Sequence, residues 1–248
     1  MHKRQSRCSF VPASLAMFSA QYTAQILQRY TLPGTQRASV PSTQLEDFVH
    51  ELSVAFEVPA DFDPARFSAF PLEIITDYIR KTHRHYLFRK LPEMEQSINL
   101  LLQDYNDAHP LLHTLKGFYA AYKTGLSLHI CEEENHLLPY VDFLLRAERS
   151  GYDLREFLRQ TKRYSLADFV EDHHDDHETE LREIRKTILA YQPPATNGTP
   201  YRILVQQLEV FDRDLTVHGY IEDRVLIPRI TGIEHTLKQR VADLQVPN

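Results

Sequence analysis

The feature that most constrains this chain is a motif that occurs twice. His129-Ile-Cys-Glu-Glu133 is followed by Leu138 and Pro139, and His218-Gly-Tyr-Ile-Glu222 is followed by Ile227 and Pro228. Each copy reads His, three residues, Glu, then an aliphatic residue and a proline at the same distance. Leu126 and Leu215 each stand three residues before the histidine. On an α-helix, residues i and i+4 share one face, with Cβ atoms about 5–6 Å apart. Each copy can therefore present one imidazole and one carboxylate at a single point. An isolated pair of this kind is more often a surface ion pair than a ligand set. Two copies in matching apolar context form an internal repeat, and a bundle with pseudo-twofold symmetry is its natural setting.

The rest of the chain fits such a bundle. Leu72, Ile75, Ile79, Tyr86, Met94, Ile98 and Leu101 keep to one helical face. Pro71 suits the first turn of that helix, and Pro92 is expected to kink it rather than end it. After a turn at Asn106 to His109, Pro110 restarts a second helix to about Glu148, through Leu115, Phe118, Tyr122, Leu126, Leu137 and Phe143. Ser150 to Tyr164 reads as a long connection with room for a helical turn of its own. A third helix begins near Ser165 and carries Val170, Leu181, Ile184 and Ile188. The run Pro193, Pro194, Asn197, Gly198, Pro200 breaks the chain. A fourth helix carries Ile203, Leu204, Leu208, Phe211, Leu215 and Val225, ending near Leu244. No convincing strand is present. The expected fold is all-α, an antiparallel four-helix bundle over 66–245. Residues 1–65 read as a poorly ordered or short-helical N-terminal region. Its clearest element is a helix from Gln44 to Phe56, with a linker at Pro59, Asp61, Asp63 and Pro64.

Composition narrows the function. With 28 Lys and Arg against 34 Asp and Glu, spread along the chain, the net charge of -6 argues against nucleic acid. No apolar run approaches the roughly 20 residues of a membrane helix. Cys8 and Cys131 are the two cysteines, too few for a thiolate-ligated cluster and too far apart for a disulfide framework. A basic start at Met1 to Arg7 leads into Phe10 to Ala20, but Pro12, Ser14 and Ser19 interrupt that stretch, so a signal peptide is not expected. A cytoplasmic location is. Seven glycines disfavour phosphate-cradling loops, whereas histidine is abundant at thirteen.

If the second and fourth helices each supply a His and a Glu, the first and third should supply one ligand each. His83 continues the Ile75 and Ile79 stripe and is preferred, with His85 as the alternative. His174 lies at inward spacing between Val170 and Leu181 and is preferred, with His173 as the alternative. From His83 to His129 is 46 residues and from His174 to His218 is 44, as a duplicated helix pair would give. Mixed nitrogen and oxygen donors suit iron or manganese and admit zinc less selectively. His2, His50, His109, His113 and His235 read as surface or capping residues, and Asp175, Asp176 and Glu178 as a solvated acidic face. His136 reads as lining the site, because it shares a face with His129 and Glu133.

These residues resemble the hemerythrin-like cation-binding family, and most closely its di-iron proteins that repair iron–sulfur clusters. The likeness covers about residues 66 to 230. Pro71-Leu-Glu-Ile-Ile, Thr82-His83 and Leu91-Pro92-Glu93 also look like the family's first helix. The resemblance implies metal ligands His83, His129, Glu133, His174, His218 and Glu222, holding two iron ions with an oxo bridge. It gives Glu133 and Glu222 the bridging role. Oxygen-carrying hemerythrins are similar in fold but have HxxxH where this chain has HxxxE. Repair proteins usually carry a Cys-Cys-Gly-Gly motif in a small N-terminal domain. Here that region holds Cys8 alone, so cluster repair weaker than theirs is expected.

The function this implies is binding or reduction of nitric oxide, oxygen or peroxide, in repair of damaged iron–sulfur clusters, with iron–sulfur proteins as partners. The alternative is a non-enzymatic iron, oxygen or nitric oxide sensor, or an iron store. A ferritin-like carboxylate oxidase fits less well. Glu133 and His136, and Glu171 and His174, have its ExxH spacing. The first helix, however, offers only Glu73, Glu93 and Glu95, all away from His83. The chain is expected to be a monomer or homodimer.

Overall fold

A π turn with a proline just beyond it shapes this molecule's long helices in the same way three times over. A computed structural model describes residues 22–29, 42–104, 110–150, 154–172, 177–190 and 198–245, and the described chain is all-α. Helix α1 covers residues 22–29, α2 Ser42–Glu57 and α3 Pro64–Ser68. Helix α4 (Leu72–His85) runs through a π turn, Tyr86–Lys90, into α5 (Leu91–Asp104). Helix α6 (Pro110–Glu132) does the same through Glu133–Leu137 into α7 (Leu138–Ser150). After α8 (Leu154–Arg163), α9 (Leu166–Asp172) and α10 (His177–Ala190), α11 (Thr199–Ile221) passes through Glu222–Leu226 into α12 (Ile227–Gln245).

Each π turn is followed, at the second residue, by a proline: Pro92, Pro139 and Pro228. A proline in a helix lacks an N–H, and its ring collides with the carbonyl four residues back. The wider turn makes room. The N–H groups of Leu91, Leu138 and Ile227 instead reach the carbonyls of Tyr86, Glu133 and Glu222. The chain thus stays helical through each proline, as expected at Pro92. The extra residue in the turn also rotates everything beyond it around the helix axis.

Two apolar clusters fill the interior. One gathers Tyr86, Leu91, Met94 and Ile98 with Leu115, Tyr122 and Leu126, Leu181, Ile184 and Ile188, and Leu204, Leu208 and Phe211. Around it, α5 packs on α6 and α11, and α10 packs on α6 and α11. The other cluster gathers Ile75, Tyr78 and Ile79 with Leu138, Val141 and Leu144 and with Ile221, Val225 and Ile230. The N-terminal helices join it through Tyr22, Ile26, Phe48, Leu52, Phe56 and Phe67. Along each long helix the change from one cluster to the other comes within a turn of His83, Glu133 or His218. No helix among the described residues is long and apolar enough to cross a membrane.

Three expected core positions are corrected. Phe118, Val170 and Ile203 are exposed, and their neighbours Tyr119, Phe169 and Leu204 are buried. One residue is about 100° of rotation on a helix, so the centre of the buried stripe lies one step from the expected residues. Ser150 to Tyr164 is more than a connection. Helix α8 occupies most of it and buries Phe157, stacked 6.2 Å from Phe143.

Candidate metal centre

Three of the six expected ligands converge. One ligand atom each from His83, Glu133 and His218 lies within 4.8 Å of the other two, and all three residues are buried. They come from the last turn of α4, the start of the second π turn and the last turn of α11. His83 Nε2 is 3.0 Å from Glu133 Oε2 and 3.2 Å from His218 Nε2. Glu133 Oε1 is 2.9 Å from His129 Nε2. The Glu133 carboxylate therefore stands between two imidazoles, one oxygen to each. Glu222 is buried beside the site, with Oε2 3.8 Å from His218 Nε2. The i, i+4 spacing of the repeat puts each carboxylate next to its own histidine.

His174 and its alternative His173 lie outside the described residues. Val170, which precedes His174 on the expected inward stripe, is 42% exposed. His83 is the histidine of the first helix that enters the cluster. His85 is also buried, but among the described residues neither of its ring nitrogens has a hydrogen-bond partner, and it takes no part in the cluster. His136 is a correction. It is exposed, because the π turn that starts at Glu133 rotates it off the face it would share on an α-helix. His50, His113 and His235 are exposed, as expected; His2, His109, Asp175 and Asp176 lie outside the described residues.

The electrostatics favour a cation. A fully buried carboxylate needs compensating charge or hydrogen bonds, and Glu133 is 0% exposed. Burial opposes protonation of both site histidines. At His218 it prevails, joined by neighbouring His83, and the pKa falls to about 3. That ring is a neutral nitrogen donor at neutral pH, as metal ligation requires. At His83 the Glu133 and Glu134 carboxylates outweigh burial and raise the pKa. The Nδ1–H of His83 donates to Glu134 Oε1 at 2.8 Å, which turns Nε2 toward the cluster. Two imidazoles and a carboxylate gathered in a dry interior fit iron, by the chemistry of the donors.

Sequence reasoning missed the polar network beside these residues. Asp214, one turn before His218, accepts from Arg29 Nη2 at 2.5 Å and from the Tyr22 hydroxyl at 2.8 Å. Arg29 Nη1 donates to Thr82, the neighbour of His83, at 2.9 Å. One signal was present: Asp214 falls on the inward stripe of Phe211, Leu215 and His218. Nothing marked Arg29. Burial would raise the Asp214 carboxyl, but the Arg29 guanidinium holds it below its ordinary value. A lowered folded pKa stabilises the fold at every pH above the unfolded value of about 3.9, and that contribution is lost as pH falls through the folded value. Urea unfolding from about pH 5 to pH 2 is therefore expected to show a shallower loss of stability in Asp214→Asn than in wild type. Parallel acid limbs in the two proteins would mean that Asp214 is not held ionised by Arg29.

No protein-family model matches the chain, and no solved structure matches it significantly. Among curated proteins, the Iron-sulfur cluster repair protein ScdA of Staphylococcus haemolyticus is 21% identical over 160 residues, which is 63% of this chain and 66% of the relative. ScdA of Staphylococcus epidermidis is also 21% identical over 160 residues, 64% of this chain and 67% of the relative. The chain thus spans just under two thirds of the length of the first of these relatives. Its sequence is distantly homologous to iron–sulfur cluster repair proteins.

Proposed function

We propose that this chain is a hemerythrin-like, antiparallel four-helix bundle that holds non-haem iron and acts there on nitric oxide, oxygen or peroxide, in the repair of damaged iron–sulfur clusters. The observation that carries this reading is the buried Glu133 carboxylate set between His83 and His129, with His218 alongside. The mutual packing of α5, α6, α10 and α11 supports the bundle, and the distant homology to ScdA supports the role in repair. Residues His83, His129, Glu133, His174, His218 and Glu222 would hold two irons, with Glu133 and Glu222 shared between them.

Bound iron supplies one-electron redox chemistry and open positions for a small ligand. The chain's own residues prepare the place. Glu134 fixes the tautomer of His83, so that Nε2 offers its lone pair. The two apolar clusters, meeting at the ligands, keep bulk water away and strengthen every charge interaction between them.

A second reading is a sensor or an iron store without turnover. It is favoured by the reach of α1 from the N-terminal region to the ligand-bearing helices through Arg29. Rapid mixing of reduced, iron-loaded protein with nitric oxide, and separately with hydrogen peroxide, tests both. Repeated turnover with added reductant is the result expected of the enzyme. A lasting spectral change without turnover is that expected of the sensor. No change with either molecule would rule out the enzyme and the sensor and leave iron storage.

A further inference from the structure

Arg29 is an unusual residue to bury. It is 0% exposed, and its guanidinium carbon lies 5.9, 5.8 and 6.0 Å from the ring centres of Tyr22, Tyr78 and Tyr86. Taking a charge out of water is costly, and a buried pair rarely repays that cost in stability alone. The helix that carries Arg29 has other anchors. Tyr22 stacks on Phe56 at 3.6 Å, Thr23 and Ser53 share a hydrogen bond at 2.6 Å, and Arg89 donates to Gln28 at 3.0 Å. Docking of α1 through these contacts and through buried Ile26 has no need of an arginine.

What Arg29 adds is a tie between two other helices. One nitrogen binds Thr82 on α4, and the other binds Asp214 on α11. Thr82 is the residue before His83, and Asp214 is one turn before His218. The tie extends to the aromatic rings. Tyr86, over the guanidinium, has its ring centre 5.6 Å from that of His218, and Tyr78 is 6.2 Å from the same histidine. The two histidines whose Nε2 atoms approach to 3.2 Å come from these same two helices. Their separation therefore depends on how α4 and α11 are held, and Arg29 holds them there.

We infer that Arg29, bridging Thr82 and Asp214, is a positioning residue for His83 and His218, so that docking of residues 22–29 and metal binding favour one another. This rests on the reading of His83, Glu133 and His218 as metal ligands. Coupling between two binding events is reciprocal. A docked α1 raises metal affinity by setting the two histidines, and a metal that draws them together must stabilise docked α1 by the same factor. The N-terminal region would then carry the occupancy of the metal centre to whatever contacts it.

The test uses the 248-residue chain with two readouts, neither of them catalytic. Amide hydrogen exchange of residues 22–29 is followed by mass spectrometry without metal and with ferrous iron added anaerobically. Ferrous affinity is measured by chelator competition for wild type, Arg29→Lys and Arg29→Met. The expected result is iron-induced slowing of exchange in 22–29 by about 5–150-fold, the usual range of coupling between sites. Affinity is expected to fall about 10–100-fold in both variants, as it does when residues supporting metal ligands are lost. Lysine keeps the charge but cannot bridge both partners. If wild type and variants bind iron equally, with exchange in 22–29 unchanged, the inference is overturned while the metal site stands. If wild type binds no iron, both fall together. Should the variants fail to fold, the wild-type exchange comparison decides the matter alone.

Discussion

Glu133→Ala is expected to strip most of the metal from the protein. Glu133 is fully buried, and its two oxygens face His83 and His129 at 3.0 and 2.9 Å. Loss of a residue that merely supports a ligand costs about 10–100-fold in metal affinity, so loss of a shared ligand should cost more than about 100-fold. Glu133→Gln keeps the volume and removes the charge, and should lose metal nearly as completely. His235→Ala is the control. That ring is exposed and bonds Gln239 on its own helix, so metal content should not change. Metal analysis after dialysis against a weak chelator reads out all three, and full occupancy in Glu133→Ala would remove Glu133 from the ligand set.

Asp214→Ala is expected to produce the largest loss of stability, about 3–5 kcal/mol, the usual cost of leaving one member of a buried ion pair alone. The Arg29 guanidinium would lose its counter-charge in a site where both partners are at most 2% exposed, and the Tyr22 hydroxyl would lose its acceptor. For a chain of this size each kcal/mol shifts the melting temperature by about 2–4 °C, so a fall of about 6–20 °C should be visible in a thermal scan. Arg29→Met combined with Asp214→Leu should recover most of it, since the apolar pair leaves no charge uncompensated. Asp214→Ala melting with wild type would mean that water reaches the pair.

The Arg29–Asp214 pair also marks where the sequence pattern stops being informative. The repeated His and Glu, spaced for one helix face, point to Glu133 and His218, and the structure places both with His83, which continues the Ile75 and Ile79 stripe. Helix α2 was legible for the same reason, its apolar residues Leu45, Phe48, Val49, Leu52 and Phe56 falling at helical spacing. His136 was misread because an α-helical period was carried through a turn that is not α-helical. Such a turn leaves its trace in the proline beyond it, but a proline alone does not say whether the helix kinks or widens. Phe118 and Val170 were misread by a single residue, where two adjacent apolar side chains compete for the inward face. Arg29 was invisible for a deeper reason. Its partner is 185 residues away, and a lone arginine among polar residues follows the same local pattern whether solvated or buried. Periodicity records which face of a helix is apolar, and not which distant charge will meet it.

The most direct measurement is the metal content of protein purified without added metal, with iron, zinc and manganese counted per chain. The expected result is about two irons per chain, as in di-iron bundles whose ligands come from facing helices. Stoichiometric zinc with no iron, or no metal at all in a folded protein, would contradict it.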